Sequence, residues 1–426
     1  MTEPTFLDTL GARLRAQGVV RVMRHGAYAR FITSSWVYTI GFWMQRIGIG
    51  WLTWELTRSG AWLGAVAMAY ALPAILLTPF AGAIADRMDR VRLLSRSQAL
   101  QFLTGLVLAG FTLADLAGVG LIIVIAFTLG ILESMATPAR MTIAPNLVPK
   151  EDLSGAIGLN AVSFNSATFI GPAIAGAAIA GIGIGWTFAI SAAAFVPHYL
   201  VLRRTTLHTD EHMGRAAQSL IADIIEAVRY LALHRGIAPV LAAAMVGSLF
   251  VRHLPELMPG FAGDVFSLGA EGLGALMSAF GAGGMLGSLW MANRNRVQGT
   301  TLIFFVGLMG NALFVFAFAA TDIFWVGIAS LAMFGFSMST SGNGSQILIQ
   351  TAVAGSLRAR AMSLYSLTFR GGPAIGALVF GGLSTSFGLQ APVMVGAVIC
   401  FVIAAAIMVR RRAEVKSLME NKISNS

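Results

Sequence analysis

Long stretches of this chain carry no Asp, Glu, Lys or Arg, among them 59–85, 153–202, 272–293 and 371–409. The second is 50 residues long and the fourth 39. About 20 helical residues cross a hydrocarbon core, so each of those two stretches holds a pair of spans. Within lipid every backbone N–H and C=O must be bonded inside the protein, which leaves helices or a closed barrel. The alternation over about ten residues that marks a barrel strand is absent. The expected fold is therefore all-α and integral to the membrane. Twelve transmembrane helices are expected near 30–54, 61–84, 93–113, 119–139, 157–179, 183–202, 237–260, 271–292, 300–320, 323–349, 361–385 and 388–409. Composition agrees, since 56% of the 426 residues are apolar and 11% are charged, the latter about half the usual share of a soluble protein.

A net charge of +10 invites a nucleic-acid reading, but the placement of the charges opposes it. With both termini in the cytoplasm, 25 of the 29 Lys and Arg fall in cytoplasmic segments. Only Arg46, Arg58, Arg252 and Arg370 are left for membrane or outer positions. This is the positive-inside pattern. No nucleic acid is expected as a partner; anionic lipids of the cytoplasmic leaflet are, through Arg13, Arg15, Arg21 and Arg24 of the N-terminal arm. The single cysteine, Cys400, allows no disulfide within the chain. Residues 1–27 have no apolar core, so a cleavable signal peptide is not expected there.

The expected organisation is a basic arm (1–27), a six-helix lobe (28–202), a cytoplasmic linker (203–236), a second six-helix lobe (237–410) and a tail (411–426). In the linker Ile221, Ile224, Ile225, Val228 and Leu231 share one helical face, with Asp223, Glu226 and Arg229 opposite. Such a helix lies on the inner leaflet or packs on the cytoplasmic end of the bundle. An internal repeat supports two lobes. Gly171-Pro172-Ala-Ile in the fifth span recurs as Gly372-Pro373-Ala-Ile in the eleventh, 201 residues later. Parallel repeats build two-lobed transporters with a substrate site near the midplane.

Four segments carry a family resemblance. They are Trp43-Met-Gln-Arg46 to Thr57, Gly82-Ala-Ile-Ala-Asp86-Arg87-Met-Asp-Arg90-Val-Arg92, Pro138-Ala-Arg140 with Leu147-Val-Pro149-Lys-Glu-Asp-Leu, and Arg360-Ala-Met-Ser-Leu-Tyr365. The chain resembles the major facilitator superfamily over nearly its whole length, and within it the enterobactin-exporter-like and macrolide-efflux-like branch. The resemblance implies two pseudo-symmetric six-helix lobes and transport by alternating access. It implies that Gly82, Asp86, Arg87 and Arg90 form a cytoplasmic latch, with Asp86 facing the start of the eleventh span. Asp89 stands where the family has glycine. The Gly171-Pro172 element is similar to that of superfamily antiporters, with alanines replacing two glycines; ordinary close helix packing is the other reading of these small residues. Pro172 and Pro373 are expected to bend their helices.

Ionisable residues inside spans are the sharpest site candidates, because each costs about 2.5–3.5 kcal/mol at the bilayer centre. Arg46 is about 24 Å from the inner end of the first span and Glu133 about 21 Å from the outer end of the fourth, at 1.5 Å per residue. These spans adjoin in the superfamily, so an Arg46–Glu133 pair is expected. It is a structural ion pair, a proton-coupling site with Glu133 as carrier, or a substrate contact. Arg252 and Glu256 are four apart beside Pro255 and Pro259, an outer gate or a headgroup-level salt bridge. Arg370 either reaches the cavity as an anion contact or meets Asp86 or a backbone carbonyl. Asn343, Gln346 and Gln350 share one face of the tenth span, suited to hydrogen-bonding substrate in the cavity or to joining helices. Trp51 and Trp54 are assigned to the outer interfacial belt.

No paired cysteines, His-x-x-x-His, nucleophile elbow or phosphate-binding loop is present. The chain is not expected to be an enzyme, nor to need a cofactor or metal. The reading is a monomeric, proton-coupled exporter or antiporter of the bacterial inner membrane, carrying a small amphiphile such as a siderophore or drug. A lysophospholipid translocator and a non-transporting scaffold or sensor are the alternatives.

Overall fold

The computed structural model describes residues 19–87, 89–205, 237–294, 298–353 and 355–419. The expected linker helix and most of the basic arm lie outside these residues. Fifteen α-helices follow in order: α1 (Val19–Met23), α2 (Gly26–Thr57), α3 (Gly60–Arg87), α4 (Arg90–Leu113), α5 (Val119–Ile143), α6 (Leu153–Ile182), α7 (Ile184–Ala193), α8 (Val196–Arg203), α9 (Ile237–Phe250), α10 (Leu254–Gly260), α11 (Gly269–Ala292), α12 (Thr300–Ala319), α13 (Phe324–Ala352), α14 (Gly355–Phe387) and α15 (Gln390–Met419). No strand occurs among the described residues.

Nine helical runs among the described residues are long and apolar enough to cross a membrane. Helices α2, α4 and α14 are 32, 24 and 33 residues long but do not reach that apolarity. The shortfall has a physical source. Gln45, Gln98 and Gln101 are buried on α2 and α4, and α14 carries Arg370 inside its length. These helices hold polar groups inward rather than presenting apolar faces all round.

Asp89 has a local reason to replace glycine. It is the N-cap of α4, accepting hydrogen bonds from the backbone N–H of Val91 (2.9 Å) and Arg92 (3.1 Å). The sixth span is two helices, α7 and α8, the second opening with Pro197. The seventh is also broken, with Val251–His253 forming a turn between α9 and α10 and Pro255 at the start of α10. Pro255 has no N–H to donate back into α9. The backbone N–H of Arg252 instead reaches Gly247, five residues back, at 3.1 Å.

Helices α2–α8 pack as one lobe and α9–α15 as the other. The lobes meet through two equivalent crossings, α3 on α14 and α6 on α11. Small residues make both possible. A Cβ on Gly64 would fall 2.7 Å from Leu378 Cα, and one on Gly176 would fall 2.8 Å from Gly274 Cα. The repeat is structural as well. Gly171 abuts α2 at Trp43, and Gly372 abuts α9 at Ser248, so each packs on the first span of its own lobe.

The end bearing the basic loops is taken as the inner end. On the outer half one apolar core runs through both lobes, joining Met44, Trp51, Trp54 and Ile179 to Leu257, Met258, Phe261 and Leu273. On the inner half Tyr28, Phe31, Leu93, Leu94 and Ile143 form a core of first-lobe residues only. The described structure is therefore closed at the outer side. Trp62, Trp186 and Trp325 are exposed on the flanks, whereas Trp51 and Trp54 are buried in the shared core and do not belong to the interfacial belt.

Candidate transport site

A seam along α2 closes the outer half. Arg46, Gly50, Trp54 and Arg58 recur every four residues and so share one face. Each meets the broken seventh span. Arg46 pairs with Glu256 through Nη2 and Oε1. Gly50 lies against Pro259, and the Trp54 ring against Gly260 and Gly263. Arg58 reaches Asp264 at 3.8 Å. Above the seam an outer vestibule of about 900 Å³ is lined by Trp54, Arg58, Asp264, Asp322 and Ser384. At its base a cavity of about 50 Å³ is lined by Phe42, Gln45, Arg46, Tyr70, Leu129 and Glu256.

Arg46 and Glu133 do not form the ion pair expected from their depths. Glu133 pairs instead with Arg140 on the same helix, Nη2 to Oε2 at 3.2 Å. Seven residues are two turns, which places both on one face of α5. The Tyr38 hydroxyl ties this pair to α2 and α4. It donates towards Glu133 Oε2 (3.3 Å) and Gln101 Oε1 (2.9 Å) and accepts from Arg140 Nη2 (3.0 Å). Thr137 adds a hydrogen bond to Glu133 Oε1 at 3.1 Å. Arg140, counted from sequence among the cytoplasmic charges, lies on α5, which continues to Ile143, and its side chain is largely enclosed by the bundle.

The two ion pairs converge on Tyr70 of α3. Arg46 sits over its ring at 4.6 Å. Its hydroxyl is within electrostatic reach of Glu133, Arg46, Arg370 and Glu256. Contacts at this centre join side chains from α2, α3 and α10, with Glu133 of α5 and Arg370 of α14 at longer range.

Arg252 does not join Glu256. The turn at 251–253 separates the two helical segments, so the four-residue spacing no longer means a shared face. The Arg252 guanidinium lies 4.1 Å from the centre of the Phe369 ring and faces Gly342 of α13. Neither Arg252 nor Arg370 has an acid within ion-pair distance among the described residues. Neighbouring His253 is buried and stacked on Phe380 at 4.3 Å.

The sequence and the fold are matched by known proteins. The family model described as "transmembrane secretion effector" matches residues 19–425. The chain belongs to that family. Transmembrane secretion effectors are a family of major facilitator transporters, multi-pass membrane proteins rather than enzymes. It is similar to the staphyloferrin A transporter of Staphylococcus aureus, 33% identical over 132 residues, covering 31% of this chain and 33% of that protein. The enterobactin exporter of Salmonella typhimurium is 24% identical over 256 residues, 60% of each chain. The chain thus aligns with about a third and three-fifths of these relatives. A solved nucleoside transporter superposes with a TM-score of 0.73 at 13% identity, covering 90% of this chain and 99% of that one.

The remaining expected residues of this secretion-effector chain are distributed as follows. Gly82, Asp86 and Arg87 lie at the inner end of α3, but their side chains are outside the described residues; Arg90 opens α4. Asn343 and Gln350 are half-buried and Gln346 is exposed on α13, and none bonds to a described residue. His198 is a packed interior group, with Nδ1 2.9 Å from Ser34 Oγ. Tyr38, Tyr70 and Gln101 had no sequence signal beyond being polar residues in apolar spans.

Proposed function

We propose that this protein is a proton-coupled exporter of a small amphiphile of the siderophore kind, exchanging it for protons by alternating access. The observation that carries the reading is the Arg46–Glu256 pair, which joins the lobes at the base of the closed outer seam. Opening to the outside must separate α2 from α10 and break this pair, so its charge state and the conformation are linked. Glu133 is the proton carrier. Its carboxylate is half-buried beside the same centre, and Arg140 and Tyr38 hold it in place. Protonation would cancel its attraction to Arg140 and loosen the contact between α5 and α2. The names of the two siderophore-handling relatives support the cargo class.

The test is proton release from acid-loaded everted vesicles, wild type beside Glu133→Gln. The panel holds a catechol siderophore, a macrolide, a lipophilic cation and a lysophospholipid. Collapse of the gradient on adding the siderophore, lost in the variant, is the expected result. Undiminished proton release by Glu133→Gln would remove Glu133 from the coupling role. Gradient collapse only with the lysophospholipid would select the translocator reading, and no response with any compound would favour the scaffold.

A further inference from the structure

Four arginines and two glutamates approach the midplane centre, and their pairing leaves two cations over. Arg46 is matched by Glu256 and Arg140 by Glu133. Arg252 and Arg370 have no acidic partner among the described residues, and both belong to the second lobe. An unmatched arginine at this depth is costly, and intramembrane charges of this kind mark ligand paths.

Phe369 brings the two near each other, since its ring lies under Arg252 and its backbone precedes Arg370. Arg252 stands at the break in the seventh span, half-buried, with its guanidinium on the Phe369 face. The Tyr365 ring packs against Phe369 at a tilt of 37°, with the ring centres 4.2 Å apart. Tyr365 is fixed in turn, since its hydroxyl lies 2.8 Å from Ser345 Oγ and 2.8 Å from the Gly342 carbonyl oxygen. Gly342 lies beside Arg252, a Cβ there standing in ordinary contact 3.7 Å from Nη1. Arg370 follows Phe369 on α14, so its side chain leaves the helix about 100° further round. The adjacent Gly371 abuts Ile75 of α3, which puts this turn of α14 at the lobe interface, with Arg370 exposed.

We propose that Arg252 and Arg370, with the Phe369 ring between them in sequence, form the cargo's anion-binding subsite, and that it takes a carboxylate or catecholate head of a small organic molecule. A guanidinium held flat on an aromatic ring keeps its N–H edge free for two parallel hydrogen bonds to a planar anion. A lipophilic cation is disfavoured here by both arginines. This deepens the transport reading above and rests on it for the identity of the cargo.

The experiment is equilibrium binding to the full chain in phosphatidylcholine nanodiscs at fixed ionic strength, with citrate, 2,3-dihydroxybenzoate and tetraphenylphosphonium as probes. Wild type should bind at least one of the two anions saturably and more tightly than the cation. Loss of one charge-assisted contact should weaken anion binding about tenfold or more in Arg252→Gln and in Arg370→Gln. Arg252→Lys keeps the charge and should retain part of the affinity. Equal anion affinity in wild type and both Gln variants overturns the proposal, as does tighter binding of the cation. Arg370 is exposed, so its variant separates ligand contact from misfolding. Binding is read without a gradient and is independent of proton coupling. A protein that exchanges cargo for protons yet binds neither anion would overturn this subsite and leave the transport reading standing.

Discussion

Replacing Glu256 with Gln should open the outer side. The Arg46–Glu256 pair is intermediate in burial, with side chains 31% and 25% exposed. Breaking a fully buried pair costs about 3–5 kcal/mol, and a solvated one about 0–1 kcal/mol. A value of about 2 kcal/mol is appropriate between these limits, which is roughly a 30-fold change in a two-state equilibrium. The pair joins lobes that must separate, so the loss falls on the outer-closed state. If wild type rests about 99:1 in favour of that state, the variant should rest near 77:23. Spin labels on Cys at Leu116 and Phe387 would read the change, in a background with the buried Cys400 replaced by Ser. Both positions are exposed, at 69% and 67%, and they sit at the outer ends of opposite lobes. Wild type should give one short distance, and Glu256→Gln a second, longer population of about a quarter. Arg46→Gln should behave alike. The exchange of Arg46→Glu with Glu256→Arg should restore the short distance. Superimposable distributions for wild type and both single variants would refute the argument.

Two further outcomes test the packing and the inner end. Gly64→Val should hold the outer side open and lower transport about tenfold, since overpacking costs about 1–3 kcal/mol and the Ala377–Leu378 backbone fills the space a Cβ would need. Gly382→Val on the facing helix α14 should be silent, because nothing lies within 4 Å of its Cβ position. Asp152, at the inner end, accepts from His25 at 2.7 Å and pairs with Arg21, and these bonds hold its carboxyl below the usual carboxylate range, the His25 hydrogen bond most of all. A depressed pKa contributes stability that is present above the unfolded value, about 3.9, and is lost as pH falls through the folded value. Asp152→Asn should therefore melt earlier than wild type at pH 7, and the two melting curves should converge in acid. A gap that persists unchanged at the lowest pH would show that the carboxylate charge is not its source.

What was legible in the sequence follows from what a helix fixes. Apolar runs fix where spans lie, and the Gly171-Pro172 and Gly372-Pro373 repeat fixed two lobes before any contact was known. Rise per residue gives depth but not direction, which is why Arg46 was matched in depth to Glu133 while its partner lies 210 residues away in the other lobe. The Arg252–Glu256 spacing failed for the complementary reason, because the break at 251–253 turns the helix between them. Arg140 had a usable signal, its seven-residue spacing from Glu133, but its place after an apolar run made it read as a loop charge. The repeat also bears on the seam. Gly171 and Gly372 pack on α2 and α9, which makes α2 and the α9–α10 span the equivalent first spans of the two lobes. These equivalent spans meet each other along the seam, near the axis that relates the lobes. A faithful repeat would set like charges against each other there. The ionic seam exists because the halves have diverged, one carrying Arg46 and the other Glu256, and a charge that differs between equivalent helices marks where a symmetric scaffold has acquired a directional switch.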